Sequence, residues 1–330
     1  AAFVLGVATT AVVAAVAGSG SGEPFGPLTS RQAASGPDLG EGVAELVAHA
    51  APGVVAVTLP GPVDPAPVAV GSGVAIASGR VVTAAHLIGD ATNVGLVAAD
   101  GRVLAATVAG VDPETDLALL ISPGPLTPVD AVEDPVLRVG TPVVTLGAVP
   151  APRPGAATGI VSAVDALREM ADRIGAGFVR TDTVDRPGLA GGAVLGADGR
   201  LVGVGVGGSD LVPIDVVRAV VAQLAETGRA YHGSLGLAVV DDQSRAGGAR
   251  VTAVSATGPA ADAGFRRGDV VVAVAGRPVS GAGPLAALIR RLRPGDPVEV
   301  TVVRDGERLR IPVELADSVP TNDPDGTVTA

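Results

Sequence analysis

Residues 186–195 read RPGLAGGAVL. Gly188 stands two residues before Ala190, a Gly-Gly pair follows at 191 and 192, and AVL opens a β pattern. Glycine accepts positive φ and close backbone approach without steric cost, so the stretch predicts a tight turn feeding a strand. The residue on that turn is Ala190, whose side chain is a bare methyl group. A bulge or turn would by itself account for the glycines.

On both sides the pattern is short and β-rich. GVVAVTL (53–59), VAVGSGVAIA, RVVTAAHLI, NVGLVAA, RVLAATVAGV, DLALLIS, TPVVTLGAV, TGIVSAV and RLVGVGVGG are each bounded by Gly, Pro or Asp. Many short strands at this spacing predict an all-β sandwich or barrel. Just ahead of them, VAELVAHAA is a short amphipathic segment. Behind them, PIDVVRAVVAQLAETG (213–228) has apolar residues at helical spacing (Val216, Val217, Val220, Val221, Leu224), with Gly228 as its stop. A second unit of about 85 residues follows. It reads as strand, strand, short helix, strand, helix (PLAALIRRL), strand, strand, a mixed α+β pattern.

The ends differ from the middle. Ala1 to Ala17 is apolar and uncharged, at the short limit for spanning a bilayer, and is expected to be a transmembrane anchor, with a signal remnant as the alternative. Residues 18–42 are rich in Gly, Ser and Pro and read as a flexible linker. Residues 317–330 are polar and expected to be disordered. The net charge of −11, without a basic patch interleaved with aromatics, argues against a nucleic-acid partner. There is no cysteine, so disulfides and thiol or zinc-cysteine chemistry are excluded. All 23 basic residues are Arg, which fits the codon bias of a high-GC bacterial genome.

Three segments carry the chemistry. VVTAAHLIG places His86 after a strand, VDPETDLALL places Asp116 at the start of another, and RPGLAGGAVL places Ala190 on its turn. Acyl transfer by a triad needs a base, a carboxylate that orients it, and a nucleophile beside amides that bind the oxyanion. Read alone, Asp116 would be a strand-start residue and His86 a structural histidine. Occurring in this order they make a constellation. His49 and His232 are expected to be structural, and Arg290, Arg291 and Arg293 to form a solvated face.

GSGVAIASGRVVTAAHLIG, DPETDLALL and GLAGGAVLGADGRLVGV resemble the three signature blocks of the HtrA (DegP-like) trypsin-like serine proteases. VRTDTVD resembles the family's Thr-Asp turn, the 213–228 helix its connector, and the second unit its PDZ domain. The resemblance covers roughly residues 43–316. It implies a mostly β protein, a chymotrypsin/trypsin-like double β-barrel (43–228) followed by an α+β PDZ domain (229–316). It makes His86 the general base, Asp116 its orienter and Ala190 the occupant of the nucleophile position, with the amides of Gly188 and Ala190 forming the oxyanion hole. No cofactor or metal is implied. In the PDZ unit, GSLGL resembles the carboxylate-binding loop. Ser234, Leu235, Gly236 and Leu237 would hold a peptide's C-terminus, the peptide would add as a strand beside LGLAVV, and Leu237, Leu285 and Leu288 would form an apolar pocket. Plain core is the other reading of those leucines.

The sequence departs from the family at three positions in five: Pro187, Leu189 (usually Asn) and Ala190 (Ser). Three changes fit natural drift better than one designed substitution, the alternative being an active endopeptidase whose serine was changed by engineering. Ser162 and Ser209 lie on no Gly-flanked turn and are poor substitutes. Val184 is near the expected specificity pocket. The expectation is an inactive, extracytoplasmic homologue, tethered to the membrane or secreted, that binds unfolded proteins or C-terminal peptides. A homo-oligomer is possible on the family's precedent.

Overall fold

The computed structural model describes residues 39–60, 66–149, 154–170, 174–244, 247–318 and 328–329. The expected anchor or signal segment and residues 18–38 of the expected linker lie outside them. Among the described residues no helix is long and apolar enough to cross a membrane. The last residues assigned to the linker are helical instead: α1 spans Leu39–Ala50, taking in the amphipathic segment.

Six antiparallel strands close the first barrel: β1 (Val54–Pro60), β2 (Pro67–Ala77), β3 (Arg80–Ala84), β4 (Asn93–Val97), β5 (Val103–Asp112) and β6 (Leu117–Ile121), in the order β1-β2-β3-β6-β5-β4. Val55, Val57, Val81, Leu96, Ala118 and Leu120 fill it. A short helix, α2 (Ala85–Ile88), leaves the end of β3. The second barrel comprises β7 (Pro142–Gly147), β8 (Gly155–Glu169), β9 (Ile174–Thr181), β10 (Ala193–Leu195), β11 (Leu201–Gly207) and β12 (Asp210–Pro213), closed as β10-β11-β12-β9-β8-β7. The sequence pattern did not mark β9 and β12. IGAGFVRT and DLVP are too interrupted by Gly, Arg and Pro to look like strands alone, and barrel closure recruits them. Closure also removes the open edges that would otherwise invite foreign strands.

Between the barrels lies an aliphatic layer that includes Ala84, Leu117, Leu119, Leu146, Ala193, Leu195 and Val204. Helix α3 (Ile214–Thr227) seals it with the face Ile214, Val217, Val220, Val221 and Leu224. It ends where Gly228 turns left-handed at φ 74° and its N–H donates to the Leu224 carbonyl at 3.0 Å.

The remaining chain builds the α+β unit: β13 (Gly233–Ser234), β14 (Leu237–Asp241), β15 (Ala249–Val254), α4 (Pro259–Asp262), β16 (Val270–Val274), β17 (Arg277–Pro278), α5 (Ala282–Arg290), β18 (Pro297–Arg304), β19 (Glu307–Glu314), β20 (Ala316–Asp317) and β21 (Val328–Thr329). Its main sheet runs β19-β18-β16-β15-β14-β21, with β17 on β16. The core contains Leu235, Val239, Val251, Val271, Leu285, Ile289 and Val300. Two expectations are corrected. Val328 and Thr329 of the polar tail form a strand, β21, because both are β-branched and β14 offers an open ladder. Arg290 does not face solvent: its side chain is 14% exposed, ion-paired with Glu114 at 3.3 Å and bonded to the Ile174 carbonyl, because α5 docks onto the second barrel.

Candidate active site

The β3–β6 register brings the first two residues together. Ala84 pairs with Leu117, so the residues just past Ala84 meet the one just before Leu117. Asp116 is 5% exposed and takes φ 58°, a conformation that Asp tolerates better than most residues. Its carboxylate accepts the backbone N–H of His86 at 2.9 Å and faces His86 Nδ1 at 2.7 Å. Its carbonyl accepts the Ala85 N–H at 2.9 Å. The imidazole is held at one nitrogen while the ring stays about half exposed. An imidazole oriented by a buried carboxylate suits general-base work.

Ala190 is supplied by the second barrel. Gly191, at φ 77°, donates to the Gly205 carbonyl at 2.7 Å, and a Cβ there would lie 1.9 Å from the Ser72 carbonyl oxygen. Only glycine fits. Ser72, in GSGVAIA of the first barrel, binds this turn twice: its N–H donates to the Ala190 carbonyl at 2.9 Å and its hydroxyl to the Gly188 carbonyl at 2.6 Å. The same hydroxyl accepts the buried Ala148 N–H at 2.8 Å. Ser72→Ala would strand that N–H and loosen the turn. It is expected to cost about 1–3 kcal/mol, read as a lower urea midpoint at unchanged m-value.

A Cβ built on Gly207 would lie 3.6 Å from the Ala190 Cβ and 3.9 Å from His86 Cε1, so both side chains border the same space. Among the described residues the amides of Gly188 and Ala190 have no hydrogen-bond partner. Beside Ala190 is a cavity of about 20 Å³ lined by Thr181, Thr183, Val184, Leu189, Gly207 and Ser209 among others. That is room for about one water-sized group. Leu189, where the family has Asn, is buried against this cavity, while Pro187 is exposed. Ser209 is committed to the Thr183 carbonyl at 2.6 Å, and Ser162 is exposed on β8.

Two features escaped the sequence reading. Arg168, on β8, holds its guanidinium 3.6 Å from Asp116 Oδ2 and 3.6 Å from Asp210 Oδ2. It also donates to the Val206 carbonyl at 2.7 Å and to that of Gly207. Asp116 therefore divides its charge between His86 and a fixed cation. The second feature is the loop 112–116, which the C-terminal unit grips. His232, 5% exposed, meets Asp112 Oδ2 through Nε2 at 2.9 Å, its Nδ1 faces the Arg290 carbonyl, and the Ser318 hydroxyl donates to Glu114. Burial alone would raise the Asp112 pKa, but hydrogen bonds and charge from His232, with help from Thr115 and the Glu114 N–H, hold it below the ordinary value. Burial likewise opposes charge on His232, yet Asp112, Glu114 and the Arg290 carbonyl push its pKa up. His49, by contrast, lies exposed on α1, 4.0 Å from Asp130.

In the C-terminal unit, Leu235, Leu237 and Leu285 are wholly buried in the core, and Leu288 is half-buried on α5. The Gly236 N–H donates to the Ser234 hydroxyl at 3.1 Å, and Gly236 itself takes φ 73°.

Residues 71–204 match the trypsin-like peptidase domain, and residues 233–315 match the PDZ domain. A probable periplasmic DegP-like serine endoprotease of Halomonas elongata is 31% identical over 268 residues, covering 75% of this chain and 56% of the relative. Periplasmic serine endoprotease DegP of Escherichia coli is 30% identical over 275 residues, 76% and 57% of the two chains. Serine protease PepD of Mycobacterium tuberculosis is 33% identical over 226 residues, 61% and 48%. This chain thus spans about half the length of the curated relatives it matches. Among solved structures, the HtrA-type protease AlgW with a tripeptide superposes with a TM-score of 0.69 at 26% identity, covering 84% of this chain and 98% of that one. The serine endoprotease of Yersinia pestis gives 0.60 at 26%, with the same coverage.

Proposed function

Since this chain belongs to the HtrA (DegP-like) family of serine endoproteases, with a trypsin-like peptidase domain followed by a PDZ domain, we propose that it is a pseudoprotease, one that engages unfolded chains or C-terminal peptides without cutting them. The observation that carries this reading is Ala190 on the turn beside an otherwise assembled site. In the proposed roles, His86 is the base, Asp116 its orienter, and the Gly188 and Ala190 amides the oxyanion donors. With a methyl group at 190 there is no hydroxyl for His86 to deprotonate. Removing a triad nucleophile costs on the order of a millionfold in turnover. The Arg168 guanidinium beside Asp116 adds to this, since it competes with the imidazolium that Asp116 would have to stabilise.

Binding is assigned to the PDZ unit, where an extended segment adds to the β14 edge, flanked by α5. Ser234, Leu235, Gly236 and Leu237 form the loop at the head of that edge, and Leu285 and Leu288 belong to the helix beside it. Its relatives' periplasmic names support an extracytoplasmic location, with residues 1–17 as the anchor.

The test is incubation with an unfolded casein at equimolar ratio. No fragments are expected, together with retention of the casein in a complex on gel filtration. Fragments that disappear in His86→Ala would overturn the pseudoprotease reading.

A further inference from the structure

The edge to which a peptide would add is already taken. Val328–Thr329 lies antiparallel to β14, with Thr329 opposite Ala238 and Val328 opposite Val239, and the short strand also packs against α5. The site assigned above to outside chains is filled by a segment of this one. We propose that Val328–Thr329 is an intramolecular ligand of the PDZ groove, a self-peptide that an incoming chain must displace. The inference rests on the groove being the peptide site.

The sequence supports this occupant. After Val319 the tail reads PTNDPDG and then TVT. Pro320, Pro324 and Gly326 disfavour any ladder, whereas Thr, Val and Thr are β-branched and fit a pleated edge. The strap is tied down at its other end. β20 pairs with β13, Asp317 meets Arg229 at 3.2 Å, and the Ser318 N–H donates to the His232 carbonyl at 2.9 Å. From Ser318 to Val328 the chain has ten Cα steps, a reach of at most about 35 Å. The nine-residue α5 is about 13 Å long. One chain therefore reaches its own groove without help from a second copy. Recognition here uses main-chain pairing, so the ligand is defined by an extended β-branched pair, Val328 and Thr329.

A short tether gives an effective concentration on the order of 1 mM. If the free segment binds with a Kd of ~10 µM, the tail lowers the apparent affinity for an outside peptide ~100-fold. Two variants test this: a chain ending at Pro324, and the full chain carrying Val328→Pro and Thr329→Pro, which cannot complete the ladder. The probes are a fluorescent PDGTVTA peptide and amide exchange across Leu237–Asp241. Both variants should bind the peptide ~100-fold more tightly than the parent, and the β14 amides facing the tail should exchange at least ~10-fold faster. Equal exchange and equal affinity in parent and variants would overturn the self-ligand while leaving the groove as a peptide site. Faster exchange in the variants with no peptide bound by any form would keep the self-ligand and remove the groove's role in capturing outside chains. A parent whose protection vanishes on dilution, with dimers by light scattering, would overturn the intramolecular assignment in favour of exchange between copies.

Discussion

Ala190→Ser is expected to turn the parent, proposed above to be silent, into a peptidase, raising kcat on an unfolded casein by about 10³-fold or more. The parent should sit near background, since the oxyanion donors and binding alone leave only about 10³–10⁴ over water. The expectation follows from what is still in place. His86 is oriented by Asp116 at 2.7 Å, the Ala190 turn is pinned by Ser72 and Gly205, and the Gly188 and Ala190 amides are uncommitted among the described residues. Recovery should fall short of the millionfold lost with a nucleophile, because Arg168 draws on Asp116 and an apolar Leu189 precedes position 190. Cleavage should follow small residues, given the cavity of about 20 Å³ next to position 190. Adding His86→Ala must return the variant to the parent's level. If Ala190→Ser stays silent and Arg168→Gln in that background revives it, the loss lies in the carboxylate's divided charge. If neither cuts, the turn has drifted beyond one side chain.

Removing the Asp112 carboxylate should be the most damaging single change outside the cleft. Asp112→Ala leaves His232 buried without its acceptor, and breaking such a buried pair costs about 3–5 kcal/mol. The loss should depend on pH. The folded pKa of His232 lies above its ordinary value of 6.5, so its contribution is complete below 6.5 and fades as pH rises through the folded value. The folded pKa of Asp112 lies below 3.8, so its contribution is present above 3.8 and fades as pH falls through the depressed value. The parent–variant gap is therefore widest between these limits and narrows in alkali. Urea titrations at pH 5.5 and pH 9 should show it. The chain's one tyrosine, Tyr231, adjoins His232 in a protein without tryptophan, so its fluorescence reports the junction directly. An equal gap at both pH values would mean that the pair is not ionised as described.

What could be read in the sequence was what local spacing encodes. The strand-turn punctuation gave the β class, and the 213–228 periodicity gave α3 with its glycine cap. The His86 and Asp116 blocks could be paired because each adjoins a strand of a familiar pattern. Arg168 could not be found this way. LRE at the end of β8 has no motif, and its guanidinium matters only because barrel closure brings it to Asp116, 52 residues away in the chain. His232 looked structural, which fits its burial, but its partner Asp112 belongs to another domain. Arg290 looked like surface on helical spacing because spacing does not reveal which face docks. The tail looked disordered on composition, and Val328–Thr329 is a strand only where β14 is there to pair with it.

The Ser72 contacts also set a clock. The hydroxyl's bond to Gly188 closes a separation of 116 residues. During synthesis Ile121, the last residue of the first barrel, emerges 84 residues ahead of Gly205, the anchor of the Ala190 turn. At about 5–20 residues per second that is a wait of roughly 4–17 s. Throughout it the first barrel's share of the aliphatic layer, including Ala84, Leu117 and Leu119, has nothing to cover it. A nascent chain of this protein is thus expected to present a bare apolar face for that interval, a surface of the kind that aggregates unless it is shielded.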